Sequence, residues 1–134
     1  MENFLIARRR ILATAAAGAA VLAAPSIRAH DERPQYGGVV RAVRDTAYEL
    51  VVDEGGVRIL VDDHGNPVPV QGVTGQLVVT ENGRRTETPL TAAGLNVIVA
   101  HGARWLPGQS ATAVLSMPSR GSVVVPFGVR KSEL

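Results

Sequence analysis

The side chains best suited to chemistry lie together in the segment 59–70, ILVDDHGNPVPV, where an apolar run ends in Asp62, Asp63 and His64. Side chains alternate along an extended strand, so Asp62 and His64 are expected on one side, with Cα atoms about 7 Å apart, and Asp63 on the other. A carboxylate oxygen beside an imidazole nitrogen suits Cu(II), Zn(II) or Ni(II). The segment therefore predicts a site for a divalent transition metal.

Two further histidines complete the set of candidate ligands. His30 becomes the first residue if an N-terminal leader is cleaved after Ala29, and its free amine and imidazole would then join the same site. His101 lies further along, in the sequence VAHGARW. Soft ligands for Cu(I) are scarce, because the chain has no cysteine and Met117 is its only methionine after residue 1.

The same residues also have a purely structural interpretation. Asp and Asn are common in turns because their side chains bond to the nearby backbone, so 62–67 is also consistent with an ordinary junction between a strand and a turn. In that case His101 makes a hydrogen bond in a loop, and residues 30–32 form a solvated tail. Both interpretations stay open at the level of the sequence.

Motifs of the common catalytic classes are absent from the chain. It contains no Gly-x-Ser-x-Gly elbow, no glycine-rich phosphate loop, no His-Glu-x-x-His and no cysteine nucleophile. Three histidines and scattered carboxylates in so short a chain leave little room for a cleft with a general acid, a base and orienting groups. We expect a protein that binds rather than catalyses.

Residues 1–29 have the order of an export signal: a basic patch, an Ala-rich apolar run and a small-residue exit. The apolar run, 11–24, is shorter than the roughly 20 residues of a membrane-spanning helix, so a cleaved leader is expected. Its Arg8-Arg9 pair resembles a twin-arginine signal. Removal of residues 1–29 takes away four of 14 basic and one of 12 acidic residues, which changes the net charge from +2 to −1. The pI of about 9.7 therefore reflects the leader, and we expect a periplasmic protein without a nucleic-acid partner or a membrane span.

The rest of the chain is expected to form a flexible tail, 30–36, and one domain, 37–131. Short Val-rich segments, several with alternating polarity, are separated by turn signals, and no helical period extends over ten residues. The predicted strands are 39–44, 48–53, 57–62, 76–80, 86–89, 96–100, 112–117 and 123–129. About 100 residues with seven or eight short strands predict an all-β, immunoglobulin-like Greek-key sandwich, with a small β-barrel as the alternative.

Three local signals refine this prediction. Asn82-Gly83 is the dipeptide of a type I′ hairpin turn, in which both central residues need positive φ. Pro126 cannot donate a hydrogen bond to a neighbouring strand, so its strand is expected to be an edge strand or to carry a bulge. Trp105 is expected to close one end of the core, with its indole N–H donated to a carbonyl.

Four phrases in the order YGGVV, YELV, ILVDDHGNPV and GVTG resemble a family of small exported bacterial proteins of poorly defined function. They also resemble the small β domain of periplasmic adaptors of heavy-metal efflux pumps, over about residues 34–80. The adaptors often carry a histidine before the Gly-Gly pair, where this chain has Tyr36. The resemblance implies periplasmic binding of copper, zinc or nickel as an accessory to metal handling or efflux, with efflux or envelope proteins as partners. The alternative is an interaction or structural module of the cell envelope without metal.

Overall fold

The alternating Val-rich segments form strands in a computed structural model that describes residues 33–132 of the chain. The predicted leader 1–29 and residues 30–32 lie outside the described residues. The strands are β1 (Val39–Val43), β2 (Thr46–Asp53), β3 (Gly56–Asp63), β4 (Asn66–Pro67), β5 (Thr74–Glu81), β6 (Arg84–Pro89), β7 (Thr91–Ala92), β8 (Val97–His101), β9 (Ser110–Met117) and β10 (Gly121–Val129). All eight predicted strands are confirmed. Only the two-residue strands β4 and β7 were missed, because two residues are too few to show a period.

The strands form two antiparallel sheets. The first sheet has the order β1-β2-β3-β8-β7, with β4 paired to the end of β3, and the second has the order β10-β9-β5-β6. This strand order matches that of an immunoglobulin constant-type domain, in which one sheet corresponds to β2-β3-β8-β7 and the other to β5-β9-β10, with β6 added beside β5. The predicted immunoglobulin-like sandwich is confirmed, and the barrel alternative is wrong because the two sheets stay separate in the described part of the chain.

Local turn chemistry fixes the register of the hairpins. Asn82 and Gly83 have φ of 49° and 79°, as the predicted type I′ turn between β5 and β6 requires. The register of β10 against β9 shifts between Pro126 and Gly128, and β10 is an edge strand, so the prediction for Pro126 is confirmed. A second turn, between β1 and β2, places Arg44 and Asp45 at positive φ without a glycine.

The core lies between the two sheets. Alternation in β2 turns Tyr48 and Leu50 inwards, and the hairpin pairs them with Val61 and Ile59 of β3, so one face of the first sheet is apolar. The second sheet supplies Leu77, Val79, Ala111, Ala113, Leu115, Met117, Val123, Val125 and Phe127. Trp105 closes the core with 1% exposure and donates its Nε1–H to the carbonyl oxygen of Gln109 at 2.7 Å, as predicted.

Residues 33–132 contain no helix that is long and apolar enough to cross a membrane.

Candidate functional site

Several polar side chains contact one another at the end of β3. Strand β3 ends at Asp63, and His64 turns the chain with φ of 49°. The Nδ1 atom of His64 lies 2.5 Å from Oδ1 of Asp63, and Arg120, from the turn between β9 and β10, donates to Oδ2 of Asp63 at 2.9 Å. The same guanidinium donates to the buried hydroxyl of Thr46 at 2.7 Å. Arg120 therefore joins the two sheets at this end of the sandwich.

These contacts determine the protonation of Asp63. The hydrogen bond from Arg120, followed by that from His64, holds the pKa of the Asp63 carboxyl below its ordinary value. The carboxylate is ionised at neutral pH, and each of its oxygens already has a partner. A carboxylate in this position orients the His64 ring and is poorly placed to bind a metal directly.

The structure separates Asp62 from His64. Asp62 faces the outer side of the first sheet, where it lines a cavity of about 360 Å³ with Glu49 and Leu60. His64 instead lies on the side of Asp63 and Arg120, with its side chain 66% exposed. The expectation that Asp62 and His64 share one side is wrong, because the extended chain ends at Asp63 and the left-handed conformation of His64 turns its side chain back.

Glu49 of β2 is the most unusual polar residue of this cavity. Its side chain is on the outer face of the sheet, yet the residue is only 6% exposed. Its Oε1 accepts hydrogen bonds from the backbone N–H groups of Tyr36 at 2.8 Å and Gly38 at 3.1 Å, and its Oε2 accepts one from Gln35 at 3.0 Å. The carboxylate therefore anchors the segment 35–38 to the sheet.

Glycine is required where this segment reaches the sheet. A Cβ atom on Gly38 would lie 2.2 Å from the carbonyl oxygen of Leu50, far inside van der Waals contact. The close approach allows the N–H of Gly38 to reach Glu49. The sequence analysis missed Glu49. A single carboxylate in the apolar run YELVV was the available signal, but its backbone partners are 11 to 14 residues away.

The anchored segment brings the N-terminal part of the domain to Asp62. Arg33 and Gln35 line the same cavity as Asp62 and Glu49. His30 lies outside the described residues.

His101 lies at the opposite end of the sheet. It pairs with Gly56 at the start of β3, whereas Asp63 ends that strand. Seven steps of about 3.3 Å put these ends roughly 23 Å apart, so His101 cannot share an ion with Asp62 or His64. Among residues 33–132, no group of three or more His, Asp or Glu side chains is arranged to hold a metal ion.

The fold and the site together define an immunoglobulin-like sandwich domain with a carboxylate-anchored N-terminal segment. Comparisons of this protein with protein-family models, with curated proteins and with solved structures find no match. Its function is therefore proposed from its own residues.

Proposed function

We propose that this protein is a periplasmic, non-catalytic binding domain that takes up Cu(II), Zn(II) or Ni(II) beside Asp62, as an accessory to metal handling or efflux. The observation that carries the proposal is the anchoring of segment 35–38 by Glu49. Arg33 and Gln35 line the same cavity as Asp62, so this anchoring holds the first described residues beside a candidate ligand.

The donors of this site come from two parts of the chain. Cleavage after Ala29 would give His30 a free amine and an imidazole, and Asp62 contributes a carboxylate. Two nitrogens and one oxygen form a donor set that suits Cu(II), Ni(II) or Zn(II). His64 is the next donor along the chain, but it lies on the side of Asp63 and Arg120, so it is not counted among the donors beside Asp62.

Calorimetric titration of Cu(II) and Zn(II) into the exported protein tests the proposal. We expect one ion per chain, and affinity at least about tenfold weaker in Asp62→Asn and in His30→Ala, because each removes a ligand. Binding should also weaken as the pH falls through about 6.5, because an imidazole must be neutral to ligate.

His101→Ala is the matched control, since it removes a histidine about 23 Å from the site. It should leave the affinity unchanged. The proposal fails if no heat is observed, or if Asp62→Asn and His101→Ala bind the metal alike. A loss in His64→Ala as large as that in Asp62→Asn would add His64 to the ligands.

A specific observation favours a second candidate, an interaction module of the envelope that needs no metal. Val114 and Val124 are directly paired across β9 and β10, and they are 44% and 58% exposed on the outer face of the second sheet. Adjacent exposed valines form an apolar surface that a protein partner would cover. In this case a Val114→Ser, Val124→Ser double variant should lose cross-linking to an envelope protein that the wild type retains, with metal titration unaffected. Equal cross-linking by both would exclude this surface.

A further inference from the structure

A second cavity lies where the edges of the two sheets meet. Strand β1 ends the first sheet and β10 ends the second, and the two contact each other side by side. Between them is a cleft of about 350 Å³. Gly37 and Gly38 of the anchored segment line part of it. Its apolar lining comes from both sheets and from the end of the core: Val39, Leu50, Val52, Trp105, Phe127 and Val129.

The rim of this cleft is basic. Arg41, Arg130 and Lys131 line it, and no Asp or Glu does. Within residues 33–132, none of these three cations forms an ion pair with a carboxylate; the described ion pairs involve other basic residues. Positive charge beside an apolar wall therefore remains without a negative partner in the described domain.

Backbone contacts hold two of these cations in place. Arg41 of β1 donates from Nη1 to the carbonyl oxygen of Val40 at 2.9 Å and from Nη2 to that of Phe127 in β10 at 3.0 Å. Arg130 donates to the carbonyl oxygen of Trp105, and its guanidinium lies 5.9 Å from the centre of the indole ring. Because they are already ordered, these guanidinium groups lose little conformational entropy when they bind an anion.

We propose that the cleft between β1 and β10 binds a small amphipathic carboxylate, an alkyl acid of about ten carbon atoms. Its apolar body would lie against Val39, Val52 and Val129, and its carboxylate would accept hydrogen bonds at the basic rim. The volume is near the lower end of ligand pockets, about 300–1,000 Å³, which limits the occupant to a small molecule. The cleft contains neither Asp62 nor His64, so its ligand would contact other side chains than the proposed metal does.

The single tryptophan of the chain makes the proposal directly measurable, because Trp105 is part of the cleft wall. Monomeric decanoate is titrated into the exported protein while the intrinsic fluorescence is recorded. We expect a saturable change, and affinity about tenfold weaker for decanol, which has the same apolar body without the charge. Arg41→Gln should weaken decanoate binding by about tenfold, and the exposed Lys131→Gln by about threefold.

Arg84→Gln, on the opposite edge strand β6, is the control and should bind decanoate like the wild type. Lys131→Gln keeps the test valid if Arg41→Gln fails to fold, since no described bond of the fold involves the Lys131 side chain. Equal affinity for decanoate and decanol overturns the proposal, as does equal affinity of Lys131→Gln and Arg84→Gln. The metal titration tests other residues, so a negative result with decanoate does not contradict the proposed metal function.

Discussion

Replacement of Glu49 by glutamine tests the anchor on which the proposed metal site depends. The substitution keeps the shape of the side chain but removes its charge and turns one acceptor into a donor. An amide oxygen can still accept from Tyr36 and Gly38, but the amide nitrogen then faces the N–H of Gln35, with which it cannot bond. Two charge-assisted hydrogen bonds become neutral ones, and a third is lost.

The expected cost follows from these three bonds. A hydrogen bond to a charged group contributes about 1.5–3 kcal/mol and a neutral one about 1 kcal/mol, so the two weakened bonds and the lost one should destabilise the anchored state by about 2.5–7 kcal/mol. Segment 33–38 precedes the first strand, so we expect it to detach while the sandwich stays folded, and the loss in the global free energy of unfolding is then no larger than the contribution of this segment. We expect a decrease of about 2–3 kcal/mol in the free energy of unfolding, which corresponds to roughly 10–15 °C in Tm for a domain of this size.

Urea unfolding measures the decrease in the global free energy of unfolding, and amide hydrogen exchange measures the decrease in the local stability of the anchored segment. The backbone amides of Gln35, Tyr36 and Gly38 should exchange at least about tenfold faster in Glu49→Gln, because local opening becomes easier. Glu87→Gln is the matched control, since that carboxylate is exposed and pairs with Arg85 at the surface, a pair worth less than about 1 kcal/mol. Unchanged stability together with unchanged exchange at the three amides would refute the anchoring argument.

Three further predictions concern other parts of the fold. Arg120→Gln should raise the pKa of Asp63 towards its ordinary value, which NMR titration measures. Because the folded pKa is depressed, the stabilisation is present above the usual aspartate pKa of about 3.9 and is lost as the pH falls through the lower folded value. The wild type should therefore lose its stability advantage over the variant in acid, and a difference that stays constant with pH would contradict this. Gly83→Ala should lower the free energy of unfolding in urea by only about 1 kcal/mol, since the φ of Gly83 is 79° and the added Cβ meets no other atom. Gly75→Ala should lower it several times more, because its Cβ would lie 2.0 Å from the carbonyl oxygen of Val114. Equal losses in the two variants would contradict this reasoning. Trp105→Phe should lower the free energy of unfolding by about 1–3 kcal/mol, because the carbonyl of Gln109 loses its donor, and an unchanged urea midpoint would show that this bond is dispensable.

The strands and turns were predictable because they depend on local signals. Alternation in YELVV and VRILV depends on neighbouring residues alone, and it puts Tyr48 and Ile59 on the apolar face of each strand, which is the face that the structure buries. The positive φ of Asn82 and Gly83 likewise follows from the dipeptide itself. The turn at Arg44 and Asp45 carried no such signal, because neither residue type demands positive φ.

The candidate metal site was only partly predictable. The sequence grouped Asp62, Asp63 and His64, and these residues do lie at one end of β3. It misjudged their directions, since a strand that ends one residue before His64 no longer alternates at that position. It also grouped His101 with them, although the antiparallel pairing of β8 with β3 places His101 at the far end.

By itself, the sequence determined the all-β class, the eight main strands and the position of the bulge at Pro126, because each depends on the chemistry of adjacent residues. The tertiary structure alone decided which distant groups meet. Glu49 finds its backbone donors 11 to 14 residues away, Arg120 reaches Asp63 across 57 residues, and Arg41 reaches Phe127 across 86. The last two contacts arise from the crossing of the chain between the two sheets and the first from the chain folding back over the outer face of one sheet, and no local period or turn signal encodes either.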